Sequence, residues 1–209
     1  SSKPTYNMIS QNVNGLNPNS DVFYSKIKLL KQFGDKTGDA YKHIIMLQET
    51  NSKSSDYNTS AHLKEEFPYH IPFLAGVNRT AKKGQGLITL IDKTWLSFMN
   101  NHQNIYGRLQ MFDFDLPGTN KRHYKARFIN IYGPSGHSTA ESKEINSTLA
   151  LQLLEWIKEA NDNNRSITIA GDWNGVPNTS IDRVNGVGNR SEVETIDKIK
   201  LAGMVDVYR

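Results

Sequence analysis

The sequence predicts a chain of mixed α and β elements, with sheets packed face to face and helices outside them. Three observations lead there. Short apolar segments of strand length outnumber helical ones, and both kinds recur along all 209 residues. The polar residues of greatest chemical interest stand where apolar strands end and loops begin, which is where a rigid scaffold usually carries function.

Strands are expected at Asn7–Val13, Ile44–Leu47, Leu87–Ile91 and Ile167–Ala170, as short apolar runs bounded by turn residues. Ile105–Leu116 and His123–Ile131 alternate in part, and Pro117-Gly118-Thr119-Asn120 lies between them. They read as an antiparallel hairpin. Three helices are expected. In the first, Phe23, Ile27, Leu30 and Phe33 repeat at helical spacing. In the second, Ile145, Leu149, Leu153, Trp156 and Ile157 form an apolar face behind a Ser138/Glu141 capping box. The third follows a Ser191/Glu194 box through Val193, Ile196 and Ile199 and stops at Gly203. Asn51 to Asp56 and Asn178 to Arg190 read as loops.

Composition narrows the class. Hydrophobic residues make up 37% and charged residues 22%, the balance of a folded soluble domain rather than a disordered chain. The length suits one large domain. No apolar run is long enough to span a membrane, so no membrane partner is expected. The chain has no cysteine, which excludes disulfides and thiolate zinc sites and fits a reducing, intracellular setting. A net charge of +4 and a pI near 9.1 suit a polyanionic partner.

Four segments carry candidate chemistry, and each has a plainer reading. Ser166 to Asn174 ends an apolar strand in Gly171-Asp172-Trp173-Asn174. Residues two apart on a strand share a face, so a carboxylate and a carboxamide can converge on one ligand. The plainer reading is an Asx turn. His43 to Thr50 delivers Glu49 at the end of a buried-type strand, as a ligand for a hard cation or as an exposed glutamate entering a loop. Ser10 to Leu16 places Asn12 and Asn14 on one face before a glycine turn, able to orient a carboxylate or simply to make the turn. Phe128 to Pro134 leads to Tyr132, either a donor to a phosphoryl oxygen or a core tyrosine.

The succession is more specific than its parts. Asn-x-Asn-Gly-Leu, Gln-Glu-Thr, Ile-Tyr-Gly-Pro and Gly-Asp-x-Asn follow one another, each after a strand. This order resembles the exonuclease–endonuclease–phosphatase superfamily, and most of all the apurinic-type endonuclease domains of non-LTR retrotransposons. Lys82 to Leu87, Ser180 to Arg183 and Met204 to Arg209 resemble further segments of that branch, so the likeness spans nearly the whole chain.

The resemblance implies a four-layer α/β/β/α sandwich of two mixed sheets with outer helices, forming a single domain over residues 1–209. It implies divalent-metal-dependent hydrolysis of DNA phosphodiesters by nicking, in a nuclear setting. Glu49 is then the Mg²⁺ or Mn²⁺ ligand, with Asn14 at a position where some relatives carry a metal-binding Asp. Asp172 activates the attacking water, Asn12 and Asn174 hold the phosphate and the carboxylates, and Tyr132 donates to the phosphate. Arg79, Lys82, Lys83, Arg108 and Arg183 are the implied DNA contacts. The family pattern continues beyond the segment matched by Met204 to Arg209 and ends in a Ser-Asp-His. The histidines at 43, 62, 70, 102, 123 and 137 lie in other motifs. The chain is therefore expected to lack the last strands, to be impaired as a nuclease, and to self-associate through an unpaired sheet edge. A catalytically inactive nucleic-acid- or protein-binding module, and a lipid or small-molecule phosphatase, are the competing expectations.

Overall fold

The computed structural model of the protein describes residues 6–76, 85–118, 123–134, 139–175 and 194–207. The chain forms two compact units, residues 1–132 with 166–172, and residues 133–165 with 173–209.

The first unit holds two four-stranded sheets. One contains β1 (Met8–Asn12), β2 (Ile44–Gln48), β3 (His70–Ala75) and β4 (Leu87–Asp92), in the order β1-β2-β4-β3. The other contains β5 (Met99–Ile105), β6 (Leu109–Pro117), β7 (His123–Tyr132) and β8 (Ser166–Asp172), in the order β5-β6-β7-β8. Each sheet has one parallel pair at one edge, β1 with β2 and β7 with β8, and antiparallel pairs elsewhere. Both sheets are thus mixed, as the resemblance implies.

Side-chain alternation explains how the sheets stack. β2 is buried along its whole length, so its two faces must meet different partners. Ile45 and Leu47, with Val13, Ile88 and Leu90, meet Phe23, Ile27 and Leu30 of α1 (Phe23–Gly34) and Leu63 of α2 (Tyr57–Glu66). Ile44 and Met46, with Ile91, face the second sheet and pack with Phe112, Phe114 and Phe128. Each such side chain contributes roughly 1.5–3 kcal/mol when fully buried. The register of β6 on β7 has a polar lock: Arg127 donates twice to Asp113, at 2.7 Å from both Nε and Nη2. Both side chains are almost wholly buried. Removing one partner would strand a buried charge, a loss of about 3–5 kcal/mol.

Two expectations change here. Ile105–Leu116 is not one strand. It breaks at Tyr106-Gly107, whose φ angles of 52° and 64° reverse the chain, and Arg108 N donates to Ile105 O at 2.9 Å. The residues before that turn form β5. Second, α2 and β3 occupy stretches where no element was expected. α2 buries only Thr59 and Leu63, too few to show a helical period, and its strongest start signal is Asp56 accepting from Thr59 N at 2.9 Å. β3 contains Pro72, which obscures a strand pattern but is tolerated on an edge strand.

In the second unit, α3 (Ala140–Asp162) buries Leu149, Leu153, Trp156 and Ile157, the face its spacing predicts. Its cap is Thr139, whose hydroxyl accepts from Ser142 N at 3.1 Å, one residue after the expected Ser138, which lies outside the described residues along with Ser191. α4 (Glu194–Leu201) joins α3 through Thr195, whose hydroxyl donates to Asn146 O at 3.5 Å, and ends at Gly203 with φ 92°. No helix among the described residues is long and apolar enough to cross a membrane.

Candidate active site

The site arises where the parallel pairs end. β1 and β8 lie against each other across the two sheets, so the C-terminal ends of β1, β2, β7 and β8 come together. The facing side chains change character toward that end. Met8 gives way to Ser10 and Asn12, and Met46 to Gln48. Phe128 gives way to Asn130 and Tyr132, Phe112 to Gln110, Ile91 to Thr89, and Ala170 to Asp172. The inter-sheet layer is therefore apolar at one end and polar at the other.

Asn12 is the hub of the polar end. Its Nδ2 donates to Glu49 Oε2 at 3.0 Å and to Asp172 Oδ2 at 2.8 Å. Its Oδ1 accepts from Asn14 N at 2.9 Å, which orients the amide with its nitrogen toward the carboxylates. The two acceptor oxygens lie within about 6 Å of each other, the sum of two hydrogen-bond lengths. All three side chains are half-buried, held in place yet open to solvent.

Local backbone geometry brings the groups there. Glu49 has φ 54°, an uncommon conformation for a side chain of its size and the kind of strain that collects at functional sites. The loop after β1 is tied to β2: Gly15 N donates to Glu49 O at 2.6 Å and Leu16 N to Thr50 O at 2.9 Å. Lys26 of α1 reaches the same loop, its Nζ donating to Asn14 O at 2.8 Å and Gly15 O at 2.7 Å. Gly171 has φ 150°, and a Cβ there would stand 2.0 Å from Ile131 O, so only glycine lets β8 approach β7 before delivering Asp172.

The remaining predicted residues fall in several places. Asn14 has φ 46° and gives its carbonyl to Lys26. Tyr132 is the register partner of Asp172 on the neighbouring strand, is buried, and packs with Ala75 and Leu87. Arg108 is also buried. Its Nη1 donates to Tyr132 O at 3.2 Å, and its guanidinium sits 5.3 Å from the Tyr132 ring centre, so it supports the tyrosine. Asn174, in the second unit, has φ 51° and donates from Nδ2 to Gly133 O at 2.8 Å. Arg79, Lys82, Lys83 and Arg183 lie outside the described residues.

Beneath the hub lie polar groups that none of the motif roles covers. Gln48 Nε2 donates to Asn130 Oδ1 at 2.8 Å and to Ser10 Oγ at 3.0 Å. Asn130 Nδ2 donates to Thr89 Oγ1 at 3.1 Å, Thr89 to Gln110 Oε1 at 2.6 Å, and Gln110 Nε2 to Phe73 O at 3.0 Å. Gln48, Thr89, Gln110 and Asn130 are all buried. A buried network satisfied at each step rigidifies its surroundings. This one ties β2 to β7 just below Glu49 and Tyr132. Its signal in the sequence is a polar residue inside each of several otherwise apolar strands.

The donor set suits a hard divalent cation. Glu49 and Asp172 offer carboxylate oxygens a few ångströms apart, and Mg²⁺ takes one or two carboxylates with waters and phosphate oxygens completing its shell. Among the described residues no group of three or more His, Asp or Glu is gathered for a metal.

No protein-family profile matches the chain, and no curated protein does. Solved structures do. TDP2 from Caenorhabditis elegans matches with a TM-score of 0.52 at 17% identity, over 85% of this chain and 49% of that one. An endonuclease/exonuclease/phosphatase family protein from Bacteroides thetaiotaomicron matches with 0.54 at 12%, over 83% and 65%. A mannosyl-6-phosphatase from the same bacterium matches with 0.52 at 12%, over 82% and 66%. The chain has the endonuclease/exonuclease/phosphatase fold and spans between about half and two thirds of the length of these proteins.

Proposed function

We propose that the chain carries a metal-dependent phosphodiesterase centre acting on DNA. The observation that carries this is one carboxamide, Asn12, holding two carboxylates, Glu49 and Asp172, at the shared end of two parallel strand pairs. Hydrolysis of a phosphodiester needs a positioned water, a place for its proton and neutralisation of charge developing on the phosphoryl oxygens. Asp172, oriented through Oδ2 by Asn12, aligns the water on the phosphorus and takes its proton as the new P–O bond forms and the ester bond breaks, and the leaving oxygen takes a proton from the solvent that reaches the half-buried site. Glu49 supplies the carboxylate for Mg²⁺ or Mn²⁺, which when bound adds positive charge beside the phosphoryl oxygens. Tyr132 and Asn174 are assigned to the phosphate on the motif resemblance. The net charge of +4 favours a polyanionic substrate over a neutral one.

The competing reading is a phosphatase for a small phosphoester, favoured by the mannosyl-6-phosphatase among the structures of similar fold. One experiment separates the two. Purified protein is incubated with supercoiled plasmid in Mg²⁺ or Mn²⁺, beside a phosphate-release assay on a hexose 6-phosphate. Nicking that needs the cation and falls about 100-fold or more in Glu49→Gln supports the nuclease reading. Phosphate release without nicking selects the phosphatase, and neither activity overturns the centre as an enzyme.

A further inference from the structure

The turn between β5 and β6 places a tyrosine where the backbone disfavours one. Tyr106 and Gly107 are the two central residues of a turn closed by Arg108 N donating to Ile105 O at 2.9 Å. Both have positive φ, 52° and 64°. Two-residue hairpin turns of this kind favour Asn-Gly, because the first position also needs a left-handed conformation. A large side chain there is an outlier. The Tyr106 side chain earns nothing back from the fold: it is 71% exposed, and no hydrogen bond or ring contact engages it among the described residues.

The turn is nevertheless held firmly against the site. Gly107 O accepts from Gly86 N at 3.2 Å, and Gly86 O accepts from Thr50 N, the residue after Glu49. On the other side, Arg108 O accepts from Tyr132 N at 2.8 Å, and Tyr132 is the register partner of Asp172. Arg108 thus lies two strand spacings, about 10 Å, from Asp172.

We propose that Tyr106 is a stacking platform for an unpaired nucleobase beside the scissile phosphate. A strained, exposed aromatic on a rigid turn beside a phosphate site has what stacking needs: a flat apolar face, little entropy to lose and a fixed distance from the chemistry. The proposal rests on the DNA reading above and adds a residue that the four motifs do not contain.

The test uses the opposition between fold and function. Tyr106→Gly, Tyr106→Phe and the unaltered protein are compared by thermal melting, and by fluorescence anisotropy in buffer with Ca²⁺ in place of Mg²⁺. The probes are a labelled single-stranded oligonucleotide and an abasic oligonucleotide of the same length. Tyr106→Gly is expected to melt at the same temperature or a few degrees higher, because glycine relieves the strained position. It should bind the base-bearing strand about tenfold or more weakly and the abasic strand within twofold. Tyr106→Phe should bind both as the unaltered protein does. Equal binding of the base-bearing strand by Tyr106→Gly overturns the proposal, as does an equal loss on both probes or a lower melting temperature. If the unaltered protein binds neither strand, the DNA reading fails together with this one. Binding that is indifferent to Tyr106 sinks this inference alone.

Discussion

Replacing Asn12 by aspartate keeps its shape and reverses its meaning. The amide nitrogen that donates to Asp172 at 2.8 Å and Glu49 at 3.0 Å becomes a carboxylate oxygen. Two attractive contacts turn into two like-charge contacts at about the same distance. With an effective dielectric near 20, each repels by about 6 kcal/mol before the side chains relax. All three residues are half-buried and can turn toward water, so a net loss on the order of 2–3 kcal/mol is expected in EDTA. For a chain of this length that lowers the melting temperature by about 5–10 °C. A divalent cation should reverse the change, because three convergent carboxylates bind it more tightly than two. A ligand present at 100 times its Kd stabilises by about 2.7 kcal/mol. The assay is thermal melting followed by circular dichroism, in EDTA and in saturating Mg²⁺, for the unaltered protein, Asn12→Asp and Asn12→Leu. Asn12→Leu removes the same hydrogen bonds without adding charge, so its loss should be similar in both buffers. If Asn12→Asp loses the same stability with and without Mg²⁺, the carboxylates do not form a cation site and the reasoning fails.

Two further outcomes follow from buried polar groups away from the carboxylates. Asn130→Leu should cost about 2–4 kcal/mol in urea denaturation, since it removes the acceptor of Gln48 and the donor to Thr89 inside a buried network; a loss below about 1 kcal/mol would show that the network is not cooperative. Burial pushes His43, His70 and His102 below the ordinary histidine value of 6.5. The unfolded chain therefore takes up protons near pH 6.5 before the folded one does, so this stability is fully present above that pH and is lost as pH falls through the folded values. Urea midpoints should drop between pH 7.5 and pH 5. Asp92 lies outside that window: burial raises its pKa, but hydrogen bonds from Tyr41 and Thr94 outweigh this and hold it below 3.8. A flat profile from pH 7.5 to 5 would refute the histidine assignment.

Much of the fold, and the polar groups at its strand ends, was legible in the residues because these features are local. An apolar run ending in Gly171-Asp172, or in Gln48-Glu49, marks a buried strand and the polar group at its end without reference to anything distant. The period of Phe23, Ile27 and Leu30 marks the face of α1 in the same way. Elements with weak local signals were not legible. α2 buries two residues, β3 is interrupted by Pro72, and β5 is a polar edge strand whose boundary with β6 is a turn with a tyrosine where Asn is usual.

Residues next to one another in the chain show which strands end in which polar groups, and the order of those endings matches the fold. That these ends meet depends on how the two sheets stack. Asn12 and Asp172 are 160 residues apart, and they share a hydrogen bond because β1 and β8 are edge strands of different sheets brought face to face. The stacking likewise decides that Gln48, Thr89, Gln110 and Asn130 form one network rather than four misplaced polar residues. Alternation along a strand reports the face on which a side chain lies, whereas the partner across that face depends on how two sheets stack, a non-local property with no period in the chain.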